Sequence, residues 1–291
     1  MRGLAPQQIA FLPQDVVGNM EFEQFDNLAP EAFGGFQPFH IEALPTEFFA
    51  EFDPKALEEL SPVAFAGFDP KSFEALPDDL LGKIKPDQLS GLDAKVIKKN
   101  FDAEAVGQLS DKAFSGLRGE QVKALPKAVK AELTPDQFKN LTSDALTGFK
   151  AKEVLNLDEQ VLGKITAEQI SGLTPKAFKK FNEEQVQALD ADSLTGLSTE
   201  QAGKINKKFA GFLDQQQIRA LSVESLDAVS SKVLKEIEPS LSDTQLNELE
   251  SFRAGTPEVP PEPILTGPEP APIDLGLPPT DPVLLVDLPL V

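Results

Sequence analysis

An all-α solenoid of very short helices is the fold class this sequence predicts, and three observations predict it. Large apolar residues recur at the fifth and eighth places of an eight-residue unit through most of the 291-residue chain. Each unit opens on a helix-starting residue and closes near residues that stop helices. A slower rhythm then picks out one unit in about every four, which predicts a superhelix with about four repeats per turn.

The stretch Thr134–Phe149, TPDQFKNLTSDALTGF, is the unit written twice. Thr134 is an N-cap whose hydroxyl can accept from exposed backbone N–H groups. Pro135 suits the first helical position, and Gln137 closes a capping box on Thr134. The eighth residue stands just before the next N-cap, where a hydrophobic staple reaches the fifth residue of the following unit, as Leu141 toward Leu146. Fresh caps, prolines and glycines every eight residues exclude one continuous helix, because these residues belong at helix ends. Each octad is therefore a helix of one to two turns.

Octads run in one phase from Ala5 to Phe52 and on from Asp53 to Leu92. One extra residue enters in DAKVIKKNF, which ends at Phe101, and the phase then holds from Asp102 to Ile237. After the four-residue remnant EPSL a last octad, SDTQLNEL, closes at Leu249. Self-similarity of this kind, about thirty units, assigns residues 5–249 to one octapeptide-repeat α-solenoid. The eighth place is always large and apolar. The fifth departs at Lys130 and weakens at Ala202 and Ala210, where Val129 and Phe209 substitute one place earlier. The fourth place, usually Gln, Ala or Ser, turns large and apolar at Val16, Phe48 and Leu80, then at Val96, Val129 and Val161, and less regularly at Phe209 and Val233. One unit per superhelical turn is thus expected to point an extra side chain inward. Gly67, Gly91, Gly116, Gly148, Gly172 and Gly196 fall late in their units, where left-handed residues are expected to end helices. A lone octad buries too little to fold, so stability should rise with repeat number. Residues 253–291 are dense in proline and read as an extended linker or tail, partly polyproline II.

Composition narrows the function. Cysteine is absent, which removes disulfides, thiol nucleophiles and cysteine metal sites. Tryptophan and tyrosine are absent while phenylalanine numbers 21, so the core is built of simple apolar plugs. A formal net charge of −20 argues against nucleic acid or an anionic membrane surface as partner. No stretch approaches the roughly 18 apolar residues of a membrane span, and the N-terminal residues lack the apolar centre of a signal peptide.

His40 is the single histidine and is expected on the solvent side of its unit. Without a second histidine or a cysteine, neither a zinc site nor a Ser/His or Cys/His catalytic set is expected. The carboxylate pairs Glu58–Glu59, Asp78–Asp79, Glu183–Glu184 and Asp190 with Asp192 are expected at the opener and second-to-fourth places of ordinary octads, where first-turn charge favourable to the helix dipole explains them without a site. The stretch from Asp190 departs from an EF-hand loop at Leu194, Gly196 and Gln201. The GKI of DEQVLGKIT and STEQAGKIN lacks the leading glycine and trailing hydroxyl of a phosphate loop. No catalytic, cofactor-binding or metal site is expected, with weak diffuse calcium binding by the acidic surface left open.

The octads TAEQISGL, TPDQFKNL and NEEQVQAL resemble the octapeptide-repeat L-T-x-x-Q-[VI]-x-A arrays of large bacterial secreted or surface proteins of adhesin-like type. That resemblance covers Ala5 to Leu249 and implies a structural or adhesive role, a protein or cell-surface partner, and no enzymatic residues to carry over. This chain is richer in Phe, Pro and acids than those arrays. LPPTD at Leu277–Asp281 is similar to a sortase signal, with Asp281 where glycine is needed and no basic tail, so wall anchoring is not expected. The function expected is a non-enzymatic extracellular or cell-surface spacer or adhesive scaffold. The alternative is a cytoplasmic protein–protein interaction scaffold gripping a partner along the solenoid face.

Overall fold

Local chemistry starts each helix where the octad rule places it. A computed structural model describes residues 3–255 of the chain; the proline-rich stretch and its LPPTD segment fall almost wholly outside them. Thr134 Oγ1 accepts the Gln137 N–H at 3.2 Å while Gln137 Oε1 accepts the Thr134 N–H at 3.1 Å, closing the capping box and opening the helix Pro135–Lys139. Asn182 closes the same box with Gln185 at Glu183–Ala188, while Thr142 and Asp158 cap Ser143–Leu146 and Glu159–Leu162 by accepting an N–H alone. Where proline itself is the opener, as at Pro13, Pro45, Pro77 and Pro126, no side chain caps the helix. Most units give α-helices of four to seven residues, and five give 3₁₀ turns: Pro30–Gly35, Ala64–Gly67, Asp111–Gly116, Ala177–Lys179 and Glu238–Ser240. Among the described residues there is no strand.

In many units the eighth residue is the C-cap and swings into extended backbone, as at Leu44, Leu92 and Leu173, while others end earlier on a right-handed residue, as at Thr147 and Gly163. Left-handed glycines are not the device. The one positive φ among the described residues, 68°, belongs to Gly255, the C-cap of the last helix, Asp243–Ala254. The late glycines are required for close approach instead. A Cβ on Gly67, Gly91, Gly116, Gly148, Gly172 or Gly196 would lie 1.7–2.3 Å from a backbone oxygen of the unit three octads earlier, such as Ser143 O for Gly172. Only hydrogen fits there.

These contacts define the superhelix. Helices pack on the units three octads away, as Pro6–Ala10 on Pro30–Gly35 and Ser143–Leu146 on Ala167–Gly172. Side-chain hydrogen bonds reach four octads back, as Gln169 to Leu141. The turn therefore closes between three and four units, close to the 28 residues that separate Gln169 from Leu141. Inside it the fifth- and eighth-place side chains form one continuous core from Ile9 to Leu249. Phenylalanines crowd its first turns, where the Phe25 ring meets those of Phe33, Phe36, Phe48 and Phe52 at 5.2–6.5 Å.

Both irregular units are absorbed without loss of this relation. The nine-residue unit forms the helix Ala94–Asn100, and Asn100 Nδ2 donates to Pro70 O at 3.0 Å. The EPSL remnant makes the single 3₁₀ turn Glu238–Ser240 and stands in for a whole octad. The last helix among the described residues runs on to Ala254, two residues into the stretch read as tail, and Arg253 Nε donates to Asp227 Oδ1 at 2.7 Å.

Candidate functional site

The fourth place is where polar chemistry enters the interior. It is buried in nearly every unit from Ala32 onward, with Ala105 half-buried, so it forms a third inward column in addition to the fifth and eighth. From Ala32 onward the large apolar residues there are not one special unit per turn but one variant of a common rule, and Val16, expected to point inward, is instead exposed because no earlier turn covers it. Gln88, Gln121, Gln137, Gln169, Gln185, Gln201, Gln217 and Gln245 are all buried in this column.

Each of these glutamines joins two parts of the chain. Its Oε1 accepts the N–H of its own N-cap residue, as from Thr166 to Gln169 at 3.0 Å and from Ser198 to Gln201 at 2.9 Å. Its Nε2 donates to carbonyls four units back. Gln88 reaches Leu57 O and Leu60 O at 2.9 and 2.8 Å, and Gln169 reaches Phe138 O and Leu141 O at 3.1 and 2.6 Å. Gln201 reaches Ile170 O and Leu173 O at 2.8 and 2.6 Å, and Gln217 reaches Val186 O and Leu189 O, both at 2.8 Å. The fifth-place carbonyls, such as Phe138 O, already accept the N–H of the eighth residue, but the eighth-place carbonyls lie past the helix end, and a buried carbonyl needs a donor. The glutamine supplies it from the next turn.

His40 is a correction to the sequence reading. It is fully buried in the fourth column rather than solvent-facing. Its Nδ1 accepts the Gln37 N–H at 3.0 Å and its Nε2 donates to Leu12 O at 2.8 Å, which fixes the tautomer. The imidazole thus does what glutamine does elsewhere, with one acceptor and one donor at opposite ends of a flat side chain. Ser72 and Ser225 are shorter versions: Ser72 Oγ accepts the Asp69 N–H at 2.9 Å, and Ser225 Oγ donates to Leu197 O at 3.2 Å.

The two strongest departures from the octad rule meet each other. Lys130, charged at an apolar fifth place, and Glu153, acidic at a fourth place, are both buried, with Nζ and Oε2 2.6 Å apart. Glu153 Oε2 also accepts the Lys150 N–H at 2.9 Å, so it still closes its capping box. Lys130 Nζ stands 5.8 Å from the centre of the Phe149 ring. Burial pushes the Glu153 carboxyl upward, but the Lys130 hydrogen bond, the Lys150 N–H and the charges of both lysines outweigh it and hold the carboxyl below its ordinary range. Asp69 is held low as well, chiefly by the Ser72 N–H and further by the Ser72 hydroxyl and Lys71, against partial burial.

The carboxylate pairs sit apart from this column. Asp78, Asp79, Glu183, Glu184, Asp190 and Asp192 are exposed, and Asp190 Oδ1 accepts the Asp192 N–H as a helix cap rather than facing a loop; Glu58 and Glu59, expected in a first turn, instead end the helix Pro54–Glu59. A surface cleft of about 190 Å³ lies beside the nine-residue unit, lined in part by Glu74, Asp78, Asp102 and Glu104. Asn100 also lines it, and the Asn100 Oδ1 is buried without a partner. The four carboxylates do not converge: among the described residues no group of three or more His, Asp or Glu is placed to hold a metal ion. None of the described helices is long and apolar enough to cross a membrane.

What this arrangement can do chemically is hold turns together, because every fourth-place glutamine amide described above spends its hydrogen atoms on backbone carbonyls. The sequence signal for it was present. No fourth place of a full unit carries Lys, Arg or Asp, which a solvent-facing position of so acidic a chain would not avoid. No protein-family model matches the chain, and no curated protein matches it.

Proposed function

We propose that the chain is a non-enzymatic structural repeat protein, a spacer or adhesive scaffold working at or outside a bacterial cell surface. One observation carries this reading: turns are joined through side-chain bonds to backbone carbonyls, so almost any octad can follow any other and the number of units sets the length. The acidic outward positions keep neighbouring rods apart and soluble. Partners would be proteins or cell-surface groups met by those outward positions, not nucleic acid. The large apolar side chains exposed among the described residues support a spacer over a scaffold that grips a partner along its length. Phe11, Val16 and Phe22 lie in the first turn and Phe252 in the last helix, leaving Phe39, Val63 and Leu155 scattered between.

Two measurements test the proposal. Removing whole turns should leave a folded rod whose length, read by small-angle X-ray scattering, falls by about 8–10 Å per turn removed, the usual helix-packing distance. In intact source cells, added protease should digest the chain. Full protection of the chain in intact cells, or a partner bound along the rod through a fixed set of octads, would replace the reading with that of an intracellular interaction scaffold.

A further inference from the structure

The column that is buried everywhere else is open at one end. Gln8, Val16 and Gln24 hold the fourth places of the first three octads, and all three are exposed. The Oε1 atoms of Gln8 and Gln24 accept the Ala5 and Glu21 N–H groups at 2.8 and 3.0 Å, as in a buried unit, but among the described residues their Nε2 atoms have no acceptor. Val16 is 42% exposed and Phe11 beside this face is 87% exposed. At the other end the fifth-place residues Leu234 and Leu246 are only half-buried, and Phe252 is 47% exposed. The leading end thus offers amide donors and apolar side chains, and the trailing end has incompletely covered apolar side chains.

Throughout the interior one thing covers the fourth column: the carbonyls and apolar side chains of another octad turn, as Leu189 O and Val186 O cover Gln217. We propose that the leading face formed by Gln8, Val16, Gln24 and Phe11 docks on the trailing turn of a second copy of this chain, head to tail, repeating the contact between internal turns. Such a contact is heterologous and does not close, so it extends into an open series rather than a dimer. Charge works against it. No Lys or Arg lies between Gly3 and Pro54, and the whole chain carries −20, so copies repel until salt screens them. Association is therefore driven by apolar contact and hydrogen bonds and strengthened by ionic strength, the reverse of an electrostatic pairing.

Sedimentation velocity of the full chain tests this. The mean mass should rise with protein concentration without a plateau at two copies, and rise further at high salt. Val16→Asp, which blocks the leading face, and Phe252→Asp, which blocks the trailing one, should each abolish growth alone, both residues being exposed enough to leave the fold intact by circular dichroism. Mixed one to one, the two variants should form a heterodimer and nothing larger, because each retains one working face. A chain that stays monomeric at every concentration and salt, a dimer that stops at two copies, or a mixture that stays monomeric overturns the proposal. Any of these leaves the spacer reading of the single chain standing, since that reading does not depend on stacking.

Discussion

Replacing Lys130 by Met tests how the interior tolerates charge. The exchange keeps an unbranched side chain of similar size and removes the ammonium that stands 2.6 Å from Glu153 Oε2, where the two side chains are only 2% and 6% exposed. Glu153 would then remain buried with the Lys150 N–H as its one hydrogen-bond donor. Removing one partner of a buried pair costs about 3–5 kcal/mol, whereas replacing both by residues that fit is neutral or stabilising by roughly 1–4 kcal/mol. Lys130→Leu with Glu153→Gln restores the octad rule at both places, and that double variant should match or exceed the original chain. The chain has no Trp or Tyr, so equilibrium urea unfolding followed by far-ultraviolet circular dichroism is the assay. Acid adds a second arm. In the original chain the folded Glu153 carboxyl sits low, so its contribution is present above the unfolded value of about 4.3 and is lost as pH falls toward the folded one. In Lys130→Met, burial without the lysine raises the folded value above the unfolded one, so the penalty is largest at neutral pH and shrinks as pH falls. The two stabilities should therefore converge between neutral pH and about pH 4. A single variant within about 1 kcal/mol of the original, a double variant as unstable as the single, or a pH-independent gap would refute the reasoning, since a buried unpaired carboxylate carries a larger cost.

Further exchanges separate close approach from simple chain flexibility, and column chemistry from bulk. Gly172→Ala places a Cβ about 1.9 Å from Ser143 O and should cost about 1–3 kcal/mol by overpacking. Gly107→Ala, in the helix Ala103–Gln108 with nothing within 4 Å, should gain about 0.4–1 kcal/mol, and equal effects at the two sites would show that turn spacing is not set by glycine. Gln169→Ala takes the donor from Leu141 O, the second donor from Phe138 O and the acceptor from the Thr166 N–H, for a loss of roughly 2–4 kcal/mol in the same unfolding assay. His40→Gln should stay within about 1 kcal/mol of the original while His40→Ala loses roughly 1–3 kcal/mol; the opposite order would show that the imidazole does more than stand in for an amide.

The octad rule made the architecture legible because its signals are local. Thr134 and Gln137 cap a helix whatever lies above them, and Phe138 and Leu141 are apolar enough to declare a core. The fourth column was hard to read because its partners are backbone carbonyls some 28 residues away, and a carbonyl leaves no mark on sequence. Glutamine there looks like half of a capping box, and its other end is silent. His40 was misplaced for the same reason, a polar side chain at a place whose polarity is satisfied across turns. Late glycines were given a conformational reason when the actual one is distance to the neighbouring turn. Lys130 was legible as an exception and Glu153 was not, and only the three-unit packing relation makes them a pair.

That relation also separates two kinds of deletion. The turn counts units and not residues: Gln121 reaches Leu92 O across the nine-residue unit at a separation of 29, and Gln245 reaches Leu221 O across the EPSL remnant at a separation of 24, each four units back. Because a glutamine recognises any carbonyl in the right place, removing a whole octad moves each glutamine of the following turn onto an equivalent partner and leaves those beyond it with their own. Removing Thr174–Phe181 should therefore leave a cooperatively folded solenoid with about the same stability per unit. Removing Thr142–Phe149 changes the count between Lys130 and Glu153, whose recognition is side chain to side chain, and takes away the Phe149 ring as well. It should cost several kcal/mol, on the order of the 3–5 kcal/mol for a broken buried pair, and Lys130→Leu with Glu153→Gln should recover most of that loss. Hydrogen exchange read by mass spectrometry over residues 118–165 locates the effect: loss of protection there in the Thr142–Phe149 deletion alone, cured by the double exchange, is the expected result. Equal damage from both deletions would mean that the turns recognise particular octads, and the interchangeability on which a spacer of variable length depends would fall with it.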